Sequence, residues 1–360
     1  MKKTGKRIGI IFAVIIGIVL AAVLALLTVL TVTEYKPADV EKVSGFGRAK
    51  KEIKTGDSID VISWNIGYGA LGDNADFFMD GGTKVKPSTK ERVEENIGAV
   101  TDFLSEEAAD IVLLQEVDEN STHSYYLNER SMIMQGLEDA GLSYENRLAY
   151  NYKTLFVPYP IPPIGREQSG VATFSAYPAS DAERISLPCP FSYPIRLANL
   201  KRCLLVNRIP VSDSNKELVV INLHLEAYDD GEGKEAQTRM LAQLLHEEAA
   251  KGNYVIAGGD FNQTFDTVDR SDYPIQGETL WQPGVINTDE FAGMQCLMDE
   301  RVPSCRSLDR AYHADDPTFQ YYMLDGYLLS DNLTVETFET VDLGFVNSDH
   351  NPVRLRVTVE

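Results

Sequence analysis

Between Ile8 and Val32 the chain runs for 25 residues without a charged side chain. A helix of roughly 20 apolar residues spans a bilayer. Ahead of the run, Lys2, Lys3, Lys6 and Arg7 stand in a segment with no acid. A cleaved signal peptide shares that basic start, but its apolar core is only about 7–15 residues. No small-x-small cleavage pattern follows the run. The pattern therefore predicts an uncleaved signal anchor. Residues 1–7 are a cytoplasmic tail, 8–32 the transmembrane anchor, 33–57 a polar linker with Pro37, Gly45 and Gly47, and 58–360 the folded domain. Positive flanks stay in the cytoplasm. The expected location is the cell membrane, single-pass, with the C-terminal domain extracellular.

Charge narrows the choice of partner. The chain carries a net −21, and leaving out the four N-terminal cations makes the remainder −25. Such a domain repels polyanions unless a metal or a local basic patch intervenes. Four cysteines, Cys189, Cys203, Cys296 and Cys305, suit an exported domain. They allow three pairings, of which Cys189–Cys203 with Cys296–Cys305 is the local one, and free thiols are the alternative. None has metal-type C-x-x-C spacing.

The domain alternates strand-like and helical stretches. Ile59 to Trp64 reads as a strand ending at Asn65, followed by a loop holding Gly67, Gly69, Gly72, Gly81 and Gly82. Ser88 starts a helix, with Glu91 three residues on as a capping box. Val93, Ile97, Val100 and Leu104 lie on one of its faces. Asp110 to Leu114 is the next strand, ending in Gln115-Glu116. Residues 151–169, with Pro158, Pro160, Pro162 and Pro163, read as a loop, because proline breaks helices and central strands. Gly170 to Ser175 and Leu218 to Leu225 read as strands. Ala236, Met240, Leu241, Leu244 and Leu245 mark a helix that Gly252 ends. Tyr254 to Ala257 is an apolar run into Gly258-Gly259-Asp260-Phe261-Asn262. A strand follows Asp325, and Val353 to Val359 alternates as a final strand. Several strand pairs lack a helix between them. That argues for an α/β or α+β fold with mixed sheets rather than a doubly wound parallel one.

One polar set recurs at the strand ends: Asn65, Glu116, His224, Asp260, Asn262, Asp325, Asp349 and His350. Taken singly, each is where a strand meets water. Taken together, they are oxygen ligands without cysteine, which suit Mg²⁺ or Mn²⁺ better than Zn²⁺. Adding two imidazoles and an Asp–Asn pair supplies the parts for phosphate-ester hydrolysis.

Six short segments carry a specific resemblance. Ser63-Trp64-Asn65, Leu114-Gln115-Glu116, Asn222-Leu223-His224-Leu225, Gly259-Asp260-Phe261-Asn262, Leu324-Asp325-Gly326-Tyr327 and Ser348-Asp349-His350-Asn351-Pro352 resemble, in order, the motifs of the endonuclease/exonuclease/phosphatase superfamily. That superfamily includes DNase I-like nucleases, neutral sphingomyelinases and inositol-polyphosphate 5-phosphatases. The resemblance implies a four-layer sandwich, two packed mixed β-sheets flanked by helices, here with an N-terminal transmembrane helix. It implies metal contacts at Glu116, Asn65 and Asp349, and Asp260 orienting or deprotonating the attacking water. It further implies that Asn262 and His224 bind phosphoryl oxygens, and that His350 acts as acid–base or phosphate-binding imidazole held by Asp325. Two departures stand out. Where some family nucleases carry a second carboxylate two residues after the Trp-Asn, this chain has Gly67. Where some have Tyr or Glu just before the Gly-Val strand, it has Gln168, with Glu167 adjacent; neither is carried over as catalytic.

The expected activity is metal-dependent hydrolysis of a phosphodiester or phosphomonoester, with phospholipid or nucleic acid as candidate substrates and no protein partner implied. A sphingomyelinase-like lipid phosphodiesterase and a DNase-like nuclease both remain open. The acidic domain disfavours long DNA. The segment Phe156 to Ile164 reads either as an apolar lip that touches lipid or as a proline-stiffened loop folded on its own domain. A catalytically dead, membrane-displayed binding module is the alternative of another class.

Overall fold

The computed structural model describes residues 2–229, 231–277 and 280–360. Helix α1 (Lys2–Val32) comes first, and it is long and apolar enough to cross a membrane. Strands β1 (Val40–Lys42), β2 (Gly45–Gly47) and β3 (Ser58–Asn65) precede helix α2 (Lys90–Glu107). Strand β4 (Ile111–Asp118), helix α3 (Glu129–Asp139) and strands β5 (Glu145–Val157), β6 (Gly165–Ser175), β7 (Asp181–Ser186), β8 (Cys203–Pro210) and β9 (Glu217–His224) follow. Helix α4 (Glu232–Ala250) leads into β10 (Tyr254–Asp260). The last third holds β11 (Gln263–Phe265), β12 (Gly284–Ile286), β13 (Met294–Leu297), β14 (Cys305–Arg306), β15 (Tyr321–Tyr322), β16 (Asp325–Ser330), β17 (Leu333–Thr340) and β18 (Val353–Val359).

Among the described residues these strands form two seven-stranded sheets, ordered β1-β7-β8-β9-β10-β16-β13 and β17-β18-β3-β4-β6-β5-β2. Both sheets are mixed. In each, one parallel pair is bridged by a helix: β3 with β4 across α2, and β9 with β10 across α4. Side chains on a strand alternate between faces. Val61, Leu113, Val220, Ile256, Tyr327 and Leu355 therefore meet between the sheets. The alternate residues of β3 and β4, Ile62, Trp64, Val112 and Leu114, face α2 and α3. Those of β9 and β10 face Leu241 and Leu245 of α4. The result is the four-layer sandwich that the sequence led us to expect.

Local details differ from the reading of the sequence. The cap of α2 is Thr89, whose side chain accepts from Arg92 N at 3.3 Å. Ser88 is buried instead and donates to the carbonyl of Ala70 at 2.6 Å. Residues 151–169 are mostly strand, because the four prolines all fall in the turn between β5 and β6. Residues 33–57 do more than link: β1 pairs with β7 and β2 with β5, which adds an edge strand to each sheet. The four cysteines are free thiols, with Cys203 and Cys305 buried, so the local disulfide pairing is not formed.

One polar group ties the sheets together across the apolar layer. Asn222 of β9 donates to the carbonyls of Leu114 (3.1 Å) and Ala172 (2.9 Å) and accepts from Gln115 Nε2 at 2.8 Å. Truncating it leaves those buried partners unmatched. Asn222→Ala is expected to lower stability by about 2–4 kcal/mol in urea unfolding followed by tryptophan fluorescence.

Candidate functional site

Period-two alternation sets the site. Asn65, His224, Asp260 and Asp325 continue the series of residues that face between the sheets, each at a strand terminus. The apolar layer stops there and a polar floor begins. Strict alternation would turn Glu116 to the outer face beside Leu114. A register shift in β4 between Leu114 and Val117, with Glu116 at φ 56°, turns it into the cavity instead. A left-handed backbone costs a non-glycine residue about 1 kcal/mol or more.

Asp260 is the centre of the floor. Its Oδ2 accepts from Asn65 Nδ2 at 3.0 Å, and its Oδ1 accepts from the backbone N–H of Asn262 at 2.8 Å. His224 Nε2 lies 3.3 Å and His350 Nε2 3.8 Å from Oδ2. His350 Nδ1 is 2.7 Å from Asp325 Oδ2, and the ring is positioned further by Trp64 Nε1, which donates to the His350 carbonyl at 2.8 Å. Asn262, at φ 51°, donates its side-chain amide to the Leu225 carbonyl at 3.0 Å. Glu116 Oε1 stands 3.9 Å from His224 Nε2. Asp349 sits beside Ser348, whose hydroxyl bonds the Asn65 carbonyl at 2.7 Å. All eight residues singled out in the sequence thus belong to one cluster, though their roles are a separate matter.

Glycine is required at two places. Gly259 has φ 150°, and a Cβ there would meet the Leu223 carbonyl oxygen at 2.0 Å. Gly67 has φ 56°, and a Cβ would stand 2.8 Å from Asp349 Oδ1. A carboxylate side chain here would strain the left-handed backbone and crowd Asp349 and Leu71.

The cluster is rich in buried anions. Burial, reinforced by Asp349, pushes the Glu116 carboxyl up to about 8. Burial likewise raises Asp349, lifts Asp325 to about 6 although His350 opposes the shift, and lifts Asp80 to about 7, with Asp349 adding to the effect. The imidazoles diverge. Burial, with Arg202 and His350 nearby, holds His224 well below its ordinary value. Burial also opposes charge on His350, but Asp325 prevails and holds it well above.

Two tight groupings of candidate ligands share the floor. Asp260, Asp325 and His350 converge within 4.8 Å, as do Cys305, Asp349 and His350. In the first, the His350–Asp325 hydrogen bond already occupies the facing atoms, which makes it a relay rather than a cage. Glu116, Asp349 and Asn65 also line the cavity and offer further oxygen donors. Glu116 has no hydrogen-bond partner nearer than the 3.9 Å approach of His224, and the oxygens suit a hard cation. The residues present therefore fit a Mg²⁺ or Mn²⁺ ion.

The floor closes one end of a cavity of about 590 Å³. Sequence reasoning missed several of its lining residues. His123 is clasped between Asp118 (2.8 Å) and Glu167 (3.1 Å) and packs on Tyr68. It lies in a polar turn with no apolar run leading to it, so nothing in the sequence flags it. Arg202 is 4% exposed, and its Nε and Nη1 have no partner. In the sequence, Lys201-Arg202 reads as an ordinary solvated pair before a strand.

Comparison with known proteins fits this geometry. The profile of the Endonuclease/Exonuclease/phosphatase family matches residues 62–350. Among solved structures, the chain is similar to the endonuclease/exonuclease/phosphatase from Beutenbergia cavernae DSM 12333, at TM-score 0.58 and 18% identity, covering 84% of this chain and 72% of that one. It is similar to ANGEL2, a 2',3'-cyclic phosphatase, at TM-score 0.53 and 14% identity, covering 89% and 99%. It is also similar to the endonuclease/exonuclease/phosphatase from Bacteroides vulgatus, at TM-score 0.51 and 14% identity, covering 84% and 100%. At these identities the likeness is one of fold. No match is found among the curated proteins.

An unpartnered guanidinium facing a cavity is a receptor for an anion. Arg202→Met is expected to weaken the binding of inorganic phosphate, measured by calorimetry, by about tenfold or more. Its melting temperature should not fall, because the residue removes a buried charge that lacks partners.

Proposed function

The chain belongs to the endonuclease/exonuclease/phosphatase family, and on that premise we propose that it is a metal-dependent phosphoester hydrolase whose reaction centres on Asp260. The observation that carries this reading is the position of that carboxylate. Two hydrogen bonds fix it, and two imidazoles flank it at the closed end of a cavity. A fixed carboxylate can accept a proton from water, or orient it, without reorganising.

In the proposed reaction the oxygen of water adds to phosphorus and one ester P–O bond breaks. The water proton goes to the Asp260 side, and the leaving oxygen takes a proton in turn. His350, kept protonated by Asp325, is positioned to donate to a phosphoryl or leaving oxygen. His224 and the Asn262 amide hydrogen-bond the phosphoryl oxygens, and Arg202 adds a positive charge on the same wall of the cavity. Glu116 and Asp349, with Asn65, would hold Mg²⁺ or Mn²⁺. Such an ion, when bound, offsets charge on the phosphate and polarises its oxygens. In the same reading, α1 anchors the enzyme in the cell membrane with the catalytic domain outside.

The test is hydrolysis of bis-p-nitrophenyl phosphate by the full chain, with Mg²⁺, with Mn²⁺ and with a chelator. Turnover should vanish with chelator. His224→Ala and Asp260→Asn should each lose at least about 100-fold in kcat/KM with unchanged circular dichroism. Glu116→Gln should raise the metal concentration needed for half-maximal rate. Activity that survives the chelator and both substitutions would refute the assignment. A chain that binds metal and phosphate but turns nothing over would be the displayed binding module.

A further inference from the structure

The cavity above the catalytic floor is walled by the membrane helix itself. Leu26, Leu27 and Leu30 of α1 line it, and they recur at the spacing of one helix face. Leu30 is only 4% exposed, whereas the helix from Ile8 to Leu24 stands free of the domain. The uncharged stretch Ile8–Val32 has 25 residues, about 38 Å at 1.5 Å per residue. The hydrocarbon core of a bilayer is about 30 Å thick. With Ile8 set at the inner edge of the core, the C-terminal end of α1 reaches headgroup depth, and the leucines that line the cavity lie near that end.

The chain does not swing away after leaving the bilayer. Glu34, almost wholly buried, pairs with Arg196 at 3.2 Å and Lys201 at 3.7 Å. Thr31 Oγ1 meets Tyr193 Oη at 3.5 Å. Within fifteen residues of the helix end, β1 and then β2 are built into the two sheets. These contacts hold the domain against the end of α1, with its cavity beside the helix.

The turn between β5 and β6 borders the same mouth. Pro158, Tyr159 and Ile164 line the cavity, while Ile161 at the tip is 93% exposed. Tyr193, next to α1, is half exposed. Large apolar groups presented to water beside a membrane-spanning helix are accounted for if they rest in the bilayer surface. Polarity in the cavity is graded in the same direction. Carboxylates, imidazoles and Arg202 lie at the floor, and Leu27, Leu30, Val157 and Ile164 line the outer wall.

From these observations, and resting on the hydrolase reading above, we propose that the substrate is a membrane lipid with a phosphoester headgroup. It enters from the leaflet beside the end of α1. Its phosphate reaches the floor, and its hydrocarbon stays against the leucine face of the helix. Hydrolysis adds water across one P–O bond of the headgroup, and the apolar product returns to the leaflet. The net charge of −25 outside the anchor, together with a mouth set against the bilayer, disfavours a long nucleic acid as the occupant.

The experiment uses the full chain in phosphatidylcholine vesicles doped with sphingomyelin, phosphatidic acid or a phosphatidylinositol phosphate. Controls are water-soluble short-chain versions of each lipid, a single-stranded DNA oligonucleotide and bis-p-nitrophenyl phosphate. At least one long-chain lipid should be cut about tenfold or more faster, in kcat/KM, than its short-chain version. Ile161→Asp should cost about tenfold on that lipid and leave hydrolysis of bis-p-nitrophenyl phosphate unchanged. Turnover of bis-p-nitrophenyl phosphate or of DNA with every lipid left intact overturns the lipid proposal but spares the hydrolase. So does an Ile161→Asp protein that cuts lipid at the full rate. Failure to cut anything, bis-p-nitrophenyl phosphate included, removes the hydrolase reading itself and this proposal with it.

Discussion

Everything at the end of the two sheets answers to one constraint: four carboxylates, of Glu116, Asp260, Asp325 and Asp349, share a nearly dry space. Like charges at low dielectric repel strongly, and each must find a proton, a donor or a cation. The structure applies a different remedy to each. Asp260 is met by the Asn65 amide and the Asn262 N–H. Asp325 is matched to a His350 that it helps keep charged. Glu116 has no such partner and Asp349 only the Ser348 hydroxyl at 3.4 Å, and both are driven towards the protonated form. A divalent cation would satisfy those two without disturbing the others. Arg202 and Arg306 are the permanent cations buried in the cavity wall, and Arg306 is taken up by the carbonyls of Ser307 and Gly72.

The architecture delivers these groups by the same device twice. A parallel strand pair crossed by a helix supplies Asn65 and Glu116 from one sheet, and His224 and Asp260 from the other. At the end of each pair, inward-facing residues come into register, so that Asp260 lies opposite His224 across one ladder and Asp325 across the other. A polar side chain at such a position is surrounded on three sides and open on the fourth. The site is a consequence of two sheets ending together, and the four-layer core is what holds them at that separation.

This explains which parts were legible in the sequence. Asn65, His224, Asp260 and Asp325 continue an apolar alternation, so both their location and their facing follow from period two. Glu116 followed only as a strand end; its turn into the cavity depends on a bulge that composition does not announce. The cap of α2 slipped by one residue because Ser88 and Thr89 are chemically equivalent candidates, and tertiary burial decided between them. The loop expected over 151–169 shrank to its proline-bearing turn, since β5 and β6 gain more from pairing with each other than the flanking polar residues lose. His123 and Arg202 went unnoticed, and Glu167 was seen only as a neighbour of Gln168, for a shared reason. The burial of each comes from chain segments far away in sequence, and no local pattern encodes that.

The cavity also reconciles two facts that stand in tension. A domain this acidic should repel any phosphate, yet His224, His350, Asn262 and Arg202 at the floor are suited to holding one. The conflict disappears if attraction is confined to short range. Surface charge acts through solvent and is screened within about 8 Å at physiological salt, whereas the guanidinium of Arg202 acts inside a low-dielectric wall. An anion that diffuses in from bulk water must first cross the negative field. On the lipid reading proposed above, one held in a leaflet close to α1 would be delivered past most of it. On that reading the acidity outside and the buried cation inside would work as a filter on the route of approach rather than as opposing preferences for the same ligand.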